Sequence, residues 1–149
     1  MKALKKIAFA FFVLILLLLG YYVYSAFYPS DSFYVSEFEK NTAMAFPASA
    51  IIVKKDATYP DVHGSYTSKA IVRLSKQDYQ AVYQKLKVDP VFRNDTSSYH
   101  FLGDTKEFFE AKNIGVNKIK AILIGVREAQ FKVGFLSDGK TIVFERHSS

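Results

Sequence analysis

The chain has 149 residues, no cysteine and a formal net charge of +6. This excludes disulfides, thiolate zinc sites and cysteine nucleophiles, and it leaves room for one small domain besides a targeting segment. Lys2, Lys5 and Lys6 supply half of the net charge, and the other 17 basic and 14 acidic residues are too balanced and dispersed for a nucleic-acid surface, so no nucleic-acid partner is expected.

The stretch from Ile7 to Tyr24 contains no charged residue. As a helix it would span roughly 27 Å at 1.5 Å per residue, close to the hydrocarbon thickness of a bilayer. Ile7, Leu14 and Leu17 are expected to face lipid. Tyr21 and Tyr22, followed by Tyr24, Phe27 and Tyr28, read as an aromatic belt at the outer interface. The three lysines before the apolar run predict a cytoplasmic N-terminus. The rest would lie in the periplasm of a Gram-negative host or outside the cell of another. A basic n-region, a leucine-rich core and Val23/Ser25 at cleavage-site spacing also fit a signal peptide cut after Ser25, which would make the domain secreted. The division expected is an anchor over 1–28 and an extracytoplasmic domain over 29–149.

Ser25 to Val35 reads as a short tether. Ser36 and Glu39 fit a capping box and predict a helix from Glu37 to Met44, ending before Pro47. Ser49–Lys55 is rich in β-branched residues and predicts a strand. Residues 56–64 form a loop with Pro60, Asp61 and Gly64. Tyr66–Leu74 alternates, with Tyr66, Ala70, Val72 and Leu74 on one face, although Ile71 intrudes on the polar face. Ser75 and Asp78 cap a second helix, whose stripe of Tyr79, Val82, Tyr83 and Leu86 marks a core face and whose end is Asp89-Pro90.

Residues 91–103 look irregular, and Asn94-Asp95-Thr96 matches a glycosylation acceptor triplet. A short helix is expected over Asp104–Lys112. The last third predicts an antiparallel meander of Ile119–Val126, Gln130–Leu136 and Lys140–Arg146, with a two-residue turn at Asp138-Gly139. That turn sets Phe135 opposite Ile142 and Val133 opposite Phe144 on one face, and Lys132 opposite Glu145 on the other. The fold class expected is α+β: an N-terminal transmembrane helix, then an antiparallel sheet of about five strands with two or three helices on one face.

Asp61 and His63 could orient an imidazole toward a serine such as Ser65, but Pro60, Asp61 and Gly64 are also what a turn requires. His63, His100 and His147 with Asp61 and Asp104 match no compact ligand spacing, and the glycines are too scattered for a phosphate loop. His147 falls in a tail expected to fray. No metal and no cofactor are expected. Loop tyrosines offer large contact areas with one polar tip. Tyr59, Asp61, His63, Tyr66, Phe92, Arg93 and Tyr99, on loops 56–66 and 91–103, are therefore the candidate binding residues.

The function expected is that of a single-pass, membrane-anchored extracytoplasmic binding protein, not an enzyme. It would act by protein–protein contact outside the cytoplasm, as an inhibitor or immunity-type protein does. Two alternatives stay open. One is an accessory subunit of an envelope complex whose apolar helix packs against other membrane helices, and the other an envelope hydrolase using Asp61 and His63.

Overall fold

A computed structural model describes residues 2–58, 60–61, 64–95 and 118–147. The helix expected over 104–112 and residues 96–103 of the irregular segment lie outside the described residues.

The N-terminal helix α1 runs from Lys2 to Phe27. Within Lys5–Phe27 an 18-residue window has a mean hydropathy of 2.5 and none of it is buried, and the helix is long and apolar enough to cross a membrane. The tether expected over Ser25–Val35 is not there. Only residues 28–30 separate α1 from α2, which spans Asp31–Thr42 and begins six residues earlier than expected. Ser30 takes the extended conformation of an N-cap, and Asp31 places a negative charge in the first turn. Glu39 does not close a capping box on Ser36; it accepts the Phe46 amide at 2.9 Å. The helix stops where Ala43 turns left-handed at φ 52°. Its buried residues are Tyr34, Glu37, Phe38, Asn41 and Thr42, which is helical spacing. Three of those five are polar, so the stripe has no apolar signature in the sequence. Asn41 Nδ2 and Thr42 Oγ1 bond back to the carbonyls of Glu37 and Phe38, which lets them be buried.

The domain is α+β, built on one antiparallel sheet of six strands rather than five. The strands are β1 (Ile51–Ala57), β2 (Thr67–Arg73), β3 (Phe92–Asn94), β4 (Ile119–Val126), β5 (Gln130–Leu136) and β6 (Thr141–His147), in the order β1-β2-β6-β5-β4-β3. Helix α3 (Lys76–Val88) connects β2 to β3. The extra strand is β3, in a segment read as irregular. Three residues are too few for alternation to show, and β3 exists because it pairs with β4. Phe92 lies opposite Gly125, and a Cβ on that glycine would stand 3.0 Å from the Phe92 ring. The missing side chain makes the seat for the ring.

The meander has the register expected, with Phe135 opposite Ile142, Val133 opposite Phe144 and Lys132 opposite Glu145. The turn is held by Asp138. Its Oδ1 accepts the amides of Lys140 and Thr141 and its Oδ2 the Thr141 hydroxyl, while Gly139 supplies φ +65°. Burial raises the Asp138 pKa, but these hydrogen bonds to its charged form outweigh that and leave it lowered. The strand containing His147 is ordered to that residue, whose Nδ1 lies 3.0 Å from Thr67 Oγ1.

One face of the sheet carries the main core. Ala70, Val72, Phe131, Val133, Phe135, Ile142 and Phe144 pack there against Tyr34 and Phe38 of α2 and Tyr79, Val82 and Leu86 of α3. The opposite face is not simply polar. Ile71, which looked like an intruder, joins Ile119, Ile122, Leu136 and Val143 in a second core. A shift of register between Ile119 and Ala121 turns both Ile119 and Ile122 to that side. Beside this core a row of alternating charge crosses four strands, Asp56, Lys69, Glu145 and Lys132, and Glu145 is 1% exposed.

Ser75 caps α3 by accepting the Asp78 amide at 3.0 Å. The Asp78 carboxylate, expected to complete a capping box, bonds the amide and hydroxyl of Ser49 instead, and Ser49 Oγ accepts the Ser75 amide. Tyr79 reaches across the core to donate to the Leu136 carbonyl at 2.7 Å. Burial, then the charge of Asp138 and the neighbouring Tyr83, push its phenol up to about 12 from the usual 10.0. Burial, then Asp56 and Asp31, raise that of Tyr34 as well. A raised phenol pKa favours the neutral folded form, so this stability is fully present below about pH 10 and is lost as pH rises through about 12. The urea midpoint is expected to stay flat to pH 10 and then fall. Absorbance at 295 nm will show a late-titrating phenolate class, from which Tyr79→Phe removes one member.

Candidate functional site

The candidate binding residues separate into two groups. Asp61 and Tyr66 belong to the β1–β2 connection, while Phe92 and Arg93 lie on β3 at the other edge of the sheet. Five strand spacings of about 4.8 Å put the two edges roughly 24 Å apart. They do not form one patch. Phe92 is not a loop residue at all: it is buried, against Gly125. Arg93 is exposed, opposite Ile124. Tyr59, His63 and Tyr99 lie outside the described residues.

Asp61 serves a turn. Its Oδ1 accepts the Ser65 amide at 2.9 Å, its carbonyl accepts the Gly64 amide, and its own amide donates to the Ser65 carbonyl. Gly64 supplies φ +79°. These bonds hold the chain end that delivers Tyr66 into β2.

Tyr66 sits in a polar cluster between α2 and the sheet. Its hydroxyl donates to Glu37 Oε1 at 3.2 Å, and the Arg146 guanidinium stands 4.0 Å above its ring. Arg146 Nε lies 2.7 Å from Glu37 Oε2, and both side chains are largely buried. The Tyr66 pKa is raised, first by burial and then by the Glu37 charge and hydrogen bond, with Arg146 acting in the opposite direction. Neither Glu37 nor Arg146 stood out in the sequence. They are more than a hundred residues apart, and only the docking of α2 on β6 brings them together.

Next to this cluster a cleft of about 430 Å³ opens between the end of α1 and the domain. Tyr21 and Tyr24 of α1 with Tyr28 just after it form one side, and Phe33, Pro60 and Tyr66 stand opposite. The Phe33 ring lies 5.8 Å from that of Tyr66, and the rings of Tyr24 and Tyr28 are 5.1 Å apart. The aromatic residues read as a belt and the loop read as a recognition element therefore line the same space. The short link between α1 and α2 brings them together: Lys55 of β1 donates to the Pro29 carbonyl at 3.0 Å and pairs with Asp31 at 2.6 Å. Among the described residues no group of three or more His, Asp or Glu side chains is placed to hold a metal ion.

No protein-family model, curated protein or solved structure matches this chain.

Proposed function

We propose that this chain is a single-pass, membrane-anchored protein whose domain works outside the cytoplasm by binding a protein partner. The observation that carries the reading is the exposure of α1. A 23-residue helical stretch whose apolar 18-residue window has none of its residues buried against the domain needs another apolar phase, and lipid supplies it. Lys2, Lys5 and Lys6 lie at the end that stays cytoplasmic, which sends the domain to the far side. The link over 28–30 holds the domain against the membrane surface, so a partner would be met there. Asp61 and Tyr66 then lie on the membrane-proximal side, and Arg93 on the opposite edge of the sheet. An inhibitor or immunity-type protein guarding the membrane is the concrete form of this reading.

The absence of cysteine gives a direct test. Ser65→Cys places one thiol in the β1–β2 connection of the intact chain. A membrane-impermeant maleimide is expected to label it in unbroken cells, and a short thiol–amine crosslinker to join it to one discrete protein. Labelling only after lysis would overturn the topology, and labelling without a protein adduct would overturn the protein partner. The exposure of α1 also supports an accessory subunit that packs through its membrane helix. Replacing residues 7–24 by an unrelated apolar helix leaves a surface binder working and disables such a subunit.

A further inference from the structure

We propose that the cleft between α1 and the domain holds one acyl chain of an outer-leaflet phospholipid. This rests on the reading of α1 as a membrane span and adds a lipid ligand to it. The first argument is depth. A span starting after Lys6 covers about 30 Å of hydrocarbon in about 20 residues, which brings the outer boundary to the level of Ala26. Tyr21, Tyr24 and Tyr28 then straddle the layer where acyl chains meet glycerol, and they are one wall of the cleft. The cleft is thus continuous with the lipid-facing surface of the helix.

The second argument is chemistry. The volume of about 430 Å³ falls within the roughly 300–1,000 Å³ of small-molecule sites, which are mostly apolar with few polar groups. Four of the hydroxyls around it are engaged within the protein. Ser25 Oγ donates to the Tyr22 carbonyl at 3.0 Å, and Ser30 Oγ meets Ser32 Oγ at 2.7 Å. Thr58 Oγ1 accepts the Thr67 amide at 2.9 Å, and Tyr66 Oη donates to Glu37. Beyond the hydroxyls of Tyr21, Tyr24 and Tyr28, a sugar or a charged headgroup would find few partners on these walls, whereas a hydrocarbon chain needs none.

The third argument is size. One turn of a helix about 10 Å across fills roughly 420 Å³, so the cleft offers a partner helix little more than one turn to pack along. It suits a thinner rod. An acyl chain held against Phe33 would bear on α2 and, through the short link, fix the tilt of the domain on the membrane.

The test uses the full chain in phosphatidylcholine vesicles containing a small fraction of phosphatidylcholine with a diazirine in mid-chain. Ala26→Trp fills the cleft, and Val23→Trp, exposed on α1 away from it, is the control. After irradiation, adducts on the wild type are expected to concentrate on Tyr24, Phe33 and Tyr66, to be lost in Ala26→Trp and to persist in Val23→Trp. Far-UV circular dichroism of Ala26→Trp must match the wild type for that loss to count, and a cleft-filling Ala57→Leu, required to match in the same way, repeats the comparison from the domain side. Adducts spread evenly along α1 with none on Phe33 or Tyr66 would overturn the lipid site while leaving the span intact. A chain that carbonate strips from the vesicles would overturn both. Adducts on Phe33 and Tyr66 that survive both fillings, or that a co-reconstituted protein displaces, would overturn the lipid as occupant.

Discussion

Truncating Phe38 to alanine will lower the unfolding free energy by about 3–5 kcal/mol, the range for a large aromatic removed from a close-packed site. Phe38 is fully buried, and its ring meets Phe46, Phe131 and Phe144 at centroid distances of 5.4, 6.4 and 5.8 Å. The Phe131 and Phe144 rings stack on each other at 5.4 Å, so the cluster joins two adjacent strands to the helix. Phe38 is the side chain that seats α2 on the sheet, and α2 carries the Phe33 wall of the cleft. Leucine at this position should recover more than half of the loss, because it refills volume without the ring edges. Equilibrium urea unfolding in detergent micelles, followed by circular dichroism, measures both. Limited proteolysis should show α2 opening first in the alanine variant, since the β4–β5–β6 meander keeps its own ladder.

The second large effect is at Glu37. Removing one member of a buried ion pair costs about 3–5 kcal/mol, because the other charge stays behind without compensation. Glu37→Ala strands Arg146, whose side chain is 14% exposed, so the lower end of that range is expected. It also takes the acceptor from the Tyr66 hydroxyl. Replacing the pair together, as Glu37→Leu with Arg146→Met, should cost less than the sum of the two single changes. The three residues share one cluster, so the coupling should fall within about 0.5–3 kcal/mol. Single and double variants measured by urea unfolding give the cycle directly. Strict additivity would show that the pair contributes nothing beyond its separate packing.

Much of the domain could be read before folding, because its signals are local. The β5–β6 register followed from Asp138-Gly139 and the alternation around it, since a two-residue turn leaves one pairing that keeps both faces consistent. Helix α3 announced itself through Ser75 and an apolar stripe. Helix α2 did not, because Glu37, Asn41 and Thr42 occupy core-facing positions and disguise its period. A capping box at Ser36 then outweighed the true start at Ser30. The strand β3 was invisible for a different reason: its three residues have no pattern of their own and take their conformation from β4.

The candidate site divides along the same line. Tyr66 and Asp61 were singled out as loop residues, and both are structurally engaged, one against Glu37 and Arg146 and the other in its own turn. Phe92 was singled out for the same reason and is core. An aromatic side chain in a polar stretch reads alike in both cases, and a glycine on the neighbouring strand settles the matter.

The sequence by itself determined the apolar span, the basic end before it, and the pairing of the C-terminal hairpin. These are properties of contiguous residues, where hydropathy, charge and turn geometry act over a few positions. Only the tertiary structure decided that α2 follows α1 after three residues, that Glu37 meets Arg146, and that the aromatic end of α1 and the β1–β2 connection enclose a cleft. The last two join residues tens to a hundred positions apart. What selects them is burial across the whole sheet, which no local window of the chain contains.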